Sequence, residues 1–134
     1  ANTRRSTEIL VAILKTRPES AVEAASHLRN TLGYHEEVFD VLLEAMVQAG
    51  TREVQTSLSE LVVDETIEEK RRRDILVNYG RFTNPDGATV EFLGSLTSET
   101  GMAGYVSTGV LGTLAHRLAS TGEEERSEEK VLTL

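Results

Sequence analysis

The stretch from Glu37 to Val63, EVFDVLLEAMVQAGTREVQTSLSELVV, constrains the fold more than any other. Apolar residues recur at helical spacing on both sides of Gly50-Thr51. Val38, Leu42, Ala45 and Ala49 form one stripe of a first helix, and Phe39, Leu43 and Met46 widen it. A stripe that broad implies burial on two sides. Gly50 ends this helix, and Thr51 can cap the next. There Val54, Leu58, Leu61 and Val62 form the apolar face, while Gln55, Ser57, Ser59 and Glu60 are left for water. A turn this short implies two roughly antiparallel helices.

The rest of the chain repeats the theme. Ser6 or Thr7 can cap a first helix through Ile9, Leu10, Ile13 and Leu14, which Thr16-Arg17-Pro18 stops. Ser20 and Glu23 have capping-box spacing for a helix with Val22, Ala25, Leu28 and Leu32, ended by Gly33. Thr66 and Glu69 repeat that spacing before Ile75, Leu76 and Tyr79, with Gly80 as the end. Asn84 as cap and Pro85 in the first turn open a helix carrying Val90, Phe92, Leu93 and Leu96. After Gly101 and Gly104, a further helix follows Val106, Val110, Leu114 and Leu118. It contains Gly109 and Gly112, each about 1 kcal/mol worse than Ala in a helix interior. With Ser107 and Thr108 they would make a small-residue face for a close neighbour. A helix beginning only after Gly112 is the other reading. Thr121 to Glu125 then turns the chain into a short last helix ending in Val131, Leu132 and Leu134.

Helices therefore pair as 36–49 with 52–63, 67–80 with 86–98, and 103–120 with 125–134. The unit is roughly 33 to 35 residues, within the range of helical repeats. The expected fold is all-α: a right-handed α-solenoid of antiparallel helix pairs, HEAT-like, with about seven or eight helices. Residues 1–134 form a single repeat domain, and a closed bundle is the alternative. A finished solenoid needs a polar cap, whereas this sequence stops on Val131-Leu-Thr-Leu134. The natural protein is expected to continue past Leu134.

Chemistry is mostly excluded. The formal net charge of −8 repels phosphate backbones, so nucleic acid is not an expected partner. There is no Cys, which removes disulfides, thiolate catalysis and Cys-ligated zinc. No run of 18 apolar residues exists, so no transmembrane segment is expected. His27, His35 and His116 make no metal-ligand spacing on one helix. No phosphate loop and no nucleophile elbow is present, and no base accompanies the many Ser and Thr residues. We expect no catalytic residues, no cofactor and no metal. Glu123-Glu-Glu125 with Glu128 and Glu129 lacks calcium-loop spacing and suits a helix N-terminus. Lys70-Arg71-Arg72-Arg73 is the one basic cluster. It fits an anionic or acidic partner. It also fits a solvated face neutralised by Glu68 and Glu69, four residues before Arg72 and Arg73.

Ala49-Gly-Thr51, Asn84-Pro-Asp86 and Leu111-Gly-Thr-Leu114 carry a resemblance. Together they resemble the helical domain of the large lipid transfer proteins, the vitellogenin family. The resemblance spans roughly Val38 to Ala119. It implies a helical arm that wraps lipid-holding sheets and contacts partners, in an exported protein. Lipid would be held only through the larger protein, and no ligand residue carries over. Two other functions are open: a stand-alone adaptor binding a protein or peptide on its concave face, and a lipid carrier with a pocket between its helices.

The expected packing residues are Leu42, Met46, Leu58, Leu61, Leu93, Leu96, Val110 and Leu114. Leu58→Ala and Leu114→Ala should each cost about 2–5 kcal/mol of unfolding free energy in urea titrations. Losses under about 1 kcal/mol at both would overturn the helix assignments.

Overall fold

A computed structural model describes the backbone of residues 3–31 and 36–132, with side chains for residues 4–31 and 36–120. Among the described residues the structure is all-helical and has no strand. The α-helices are α1 (Thr3–Thr16), α2 (Ser20–Asn30), α3 (Glu36–Ala49), α4 (Arg52–Val62), α5 (Glu69–Val77), α6 (Gly87–Leu96) and α7 (Met102–Leu132). A 3-10 turn, Asn78–Arg81, extends α5.

The Gly50-Thr51 junction forms as its sequence requires. Gly50 takes a left-handed φ of 57° and its N–H donates to the Met46 carbonyl at 2.9 Å. The Thr51 hydroxyl accepts from the Val54 N–H at 3.1 Å. All eight expected packing residues are buried. The α3 stripe is rotated from the expected one. Phe39, Leu43 and Met46 lie deep, while Val38 is 48% exposed. The broad face is used on two sides, against α1 and against α2, α4 and the 3-10 turn.

Several local expectations are corrected. α1 begins at Thr3, before Ser6 and Thr7. Neither capping box forms. Ser20 donates instead to the Arg17 carbonyl at 2.6 Å, and Thr66 turns onto Asp64. Hydroxyls in tight turns find carbonyl or carboxylate acceptors before a helix N–H is in reach. Asp86, not Asn84, caps α6, accepting from the Ala88 N–H at 3.2 Å. Val22 and Ile9 face solvent, at 69% and 55% exposure. α2 ends at Asn30, with Leu32, Gly33 and His35 outside the described residues.

The expected break at 121–125 is absent. α7 is one helix of 31 residues. Gly122 is its only weak helix former there, and the Glu, Arg and Lys around it favour helix. The reading in which this helix starts after Gly112 is likewise replaced. Gly109 and Gly112 face open space rather than a neighbour, since a Cβ at either would meet nothing within 4 Å.

The strongest packing joins α1 to its next-but-one neighbour α3, and the chain-consecutive pair α6 and α7 packs as closely as α2 with α4. α1 lies along α3, α2 along α4, and α7 along both α5 and α6, while α4 also meets α5 and α6. Contact between chain-consecutive α3 and α4 is slighter than the expected pairing of 36–49 with 52–63 required. The two apolar faces point at next-but-one helices, so the turn reverses the chain without making an isolated hairpin.

Gln55 is the largest departure from sequence expectation. It is 1% exposed, and Ser57 is buried beside it. The Gln55 Nε2 donates to the carbonyls of Gly50 and Asn84, both at 3.0 Å. Its Oε1 accepts from the Asp86 N–H at 2.8 Å and the Thr89 hydroxyl at 2.6 Å. The amide thus makes all four of its hydrogen bonds. Its backbone carbonyl accepts from Tyr79 at 3.2 Å and Ser59 at 2.9 Å. Burial pushes the Tyr79 phenol pKa up, so it remains a donor.

Gln55→Leu would leave two carbonyls, an N–H and a hydroxyl without their partner. At about 1–3 kcal/mol per unsatisfied buried group, with partial relaxation, a loss of about 3–5 kcal/mol is expected in urea unfolding. A loss below about 1 kcal/mol would show that water or rearrangement replaces the amide.

Candidate functional site

The face where α5 meets α7 is built from two helical stripes. On α5 and its 3-10 extension, Lys70, Arg73, Val77 and Arg81 recur at i, i+3, i+7 and i+11. On α7, Tyr105, Val106, Gly109, Val110, Thr113 and Arg117 fall on one side. Between the stripes lies a groove of about 780 Å³. A second hollow of about 710 Å³ continues it past Lys70 and Met102, sharing Arg73, Tyr105 and Val106.

The floor is apolar and small. Gly80 sits against Thr113, where a Cβ would stand 3.5 Å from its Cγ2. Gly109 leaves space open. Val77 is half exposed, and Tyr105 is 84% exposed. The rim is cationic. Arg73, Arg81 and Arg117 border the larger hollow, which no carboxylate lines. Glu69 and Lys70 border the smaller one. In a chain of net charge −8, this is a local reversal of sign.

Each arginine is held differently. Arg117 donates to the carbonyls of Phe82 at 2.7 Å and Gly80 at 2.5 Å. It thereby ties α7 to the end of the 3-10 turn. Arg81 donates to both Glu44 oxygens, at 2.5 and 2.8 Å. That bidentate pair joins the 3-10 turn to α3. The Arg81 hydrogen bonds, helped by Gln48, hold the Glu44 carboxyl well below its usual value of 4.5, at about 2.

The basic cluster read from sequence is divided by the structure. Arg71 turns inward, with its guanidinium 4.7 Å from the Phe39 ring centroid, and pairs with Glu36 at 2.8 Å and Asp74 at 3.5 Å. Arg72 donates to the Ile67 carbonyl at 2.9 Å. The ion pairs that this run makes with described residues are both Arg71's, so neutralisation by Glu68 and Glu69 is replaced by a bridge to α3. Lys70 and Arg73 border the α7 groove, with Arg81 and Arg117 added. The helical spacing of Arg81 from Arg73 was a usable signal; the 35–37 residues between Arg117 and its carbonyl partners were not.

No family model matches the chain, and no curated protein or solved structure matches it. His27 and His116 are exposed on different helices, and His35 lies outside the described residues. Among the described residues no group of His, Asp or Glu is arranged to hold a metal ion. No described helix is long and apolar enough to cross a membrane.

The Glu44 carboxyl gives a pH signature. It is ionised in the fold above about pH 2, and in the unfolded chain only above about 4.5. Its stabilisation is therefore full above about 4.5 and is lost as pH falls toward 2. Both side chains are partly exposed, so solvent screening leaves about 1 kcal/mol. Glu44→Gln should lower stability by about that amount at neutral pH and leave it unchanged near pH 2. Equal losses at both pH values in urea titrations would show the effect is not the carboxylate's charge.

Proposed function

We propose that this chain is a non-enzymatic helical-repeat interaction module that docks an acidic, apolar-bearing segment of a protein partner between α5 and α7. The observation that carries this reading is the cationic rim over an apolar floor in an otherwise acidic molecule. Carboxylates of the partner would meet Lys70 and Arg73, and its apolar side chains would cover Val77, Tyr105 and the open space at Gly109. Opposite charge at the rim sets orientation and association rate, while the apolar centre contributes most of the affinity.

The packing of α1 on α3, α2 on α4 and α5 on α7 supports a repeat reading, from which the consecutive pair α6–α7 departs. In a solenoid each unit contacts its neighbours through matching helices, and the grooves between stacked helices make the binding surface. The resemblance to the lipid-transfer helical domain fits the same role, with the acidic segment then belonging to another domain of the same protein. Two of the three segments that carry it have local work here. Ala49–Thr51 makes the α3–α4 turn, and Asn84–Asp86 closes on Gln55.

A fluorescent acidic amphipathic peptide titrated into the protein tests the reading. Saturable binding that weakens as salt rises is expected, with little binding of a basic peptide of the same apolar pattern. Arg73→Glu should reduce the affinity at least about tenfold. Unchanged affinity in Arg73→Glu and Lys70→Glu would exclude the groove as the docking surface.

A further inference from the structure

The basic groove does not stand alone. A second groove of about 1050 Å³ runs between α1 and α3, lined by five carboxylates and one cation, Arg4. Glu44 borders this acidic groove and Arg81 borders the basic one, and the two residues are paired at 2.5 Å. That ion pair therefore links the two linings, acidic on its α3 side and basic on its α5–α7 side. Within the acidic half, Glu36 is committed to Arg71, Glu44 to Arg81, and Glu8 to Arg4 at 3.4 Å. Glu37 and Asp40 are exposed and enter no ion pair with described residues. On the basic half Lys70 and Arg73 are in the same position. Two available anions line the groove on the Glu44 side of that pair, and two available cations, with one carboxylate, Glu69, line the hollows on the Arg81 side.

Resting on the docking reading above, we propose that the segment received by the basic groove is the α1–α3 face of a second copy of this chain. A two-fold axis in the plane of contact, passing by Glu44–Arg81, sets Glu37 and Asp40 of each copy against Lys70 and Arg73 of the other. The same operation carries Tyr105 toward the partner's acidic groove. Tyr105 is 84% exposed and adjoins the groove floor, the kind of aromatic anchor that centres an interface. Val41 and the buried Thr7 line the groove that would receive it. An isologous contact of this kind uses both halves at once and closes at two copies. Registers that lay like halves on each other place acid on acid, and the net charge of −8 opposes them.

Sedimentation velocity of the whole chain reads the outcome. A concentration-dependent dimer is expected at about 50 mM salt and mostly monomer at about 500 mM, where screening is strong. Arg73→Glu and Asp40→Lys should each be monomeric at low salt while keeping the wild-type circular dichroism. An equimolar mixture of the two should recover the dimer, because every junction then joins opposite charges. Gly109→Leu puts a side chain into open space on the groove floor, and should weaken the dimer at least about tenfold without altering a charge. A wild-type monomer at all concentrations, a dimer indifferent to both charge reversals, a mixture that stays monomeric, or open-ended assembly would each overturn the symmetric pairing. The acidic peptide separates the two ideas. If the protein is monomeric yet binds that peptide through Arg73, the docking groove stands and the second copy is wrong. If it neither dimerises nor binds the peptide, the docking reading fails as well.

Discussion

The side-chain amide of Gln55 is the interaction on which the middle of the fold depends. It lies in α4, yet its four partners belong to the α3–α4 turn, the loop before α6 and the first turn of α6. Two carbonyls and an N–H from two separate turns are satisfied by one buried side chain. The Tyr79 hydroxyl closes the same cluster from the 3-10 turn, reaching the Gln55 carbonyl and Ser59. An apolar residue of similar volume could fill the space but could not fix the register of these segments. Position in this cluster also fixes the 3-10 turn that carries Arg81. The polar cluster thus sets where one wall of the α5–α7 groove stands.

Legibility from sequence followed the range of each interaction. The turn at Gly50-Thr51 depends on residues within five positions of itself, and its φ, its cap and its flanking helices are all as the sequence implies. Leu58, Leu61, Leu93, Val110 and Leu114 are apolar at helical spacing, and they are buried. Gln55 was assigned to water because hydropathy scores a residue type, whereas its burial is set by partners up to 34 residues away. Ser20 and Thr66 do not cap because tight turns offer their hydroxyls an equal hydrogen bond, and Asn84 does not because α6 starts two residues later, at the Asp86 cap. The continuity of α7 was missed for a related reason. A single Gly in a glutamate-rich segment weakens a helix by about 1 kcal/mol but does not end it.

The candidate site shows the same division. Lys70 to Arg73 is one run in the sequence, but a helix distributes four consecutive residues around its whole circumference. Arg71 and Arg73 consequently point to different neighbours. One becomes a buried bridge to α3 stacked on Phe39, and the other a rim residue beside α7. The cationic rim of the groove follows the stripe, not the run. Its completion by Arg117 depends on a contact between α7 and the 3-10 turn that no local pattern encodes.

The meeting of the two grooves at Glu44–Arg81 has an electrical consequence for the isolated molecule. Charge of opposite sign on either side of one ion pair gives this face a lateral dipole superimposed on the net negative monopole. The monopole falls off more slowly, so at long range another acidic molecule experiences repulsion. Close in, the dipole exerts a torque, and the approaching surface is turned before it touches. Orientation is thereby selected within about one Debye length, roughly 8–10 Å in physiological salt. A charge distribution of this kind responds to the angle of approach as well as to the sign of what approaches.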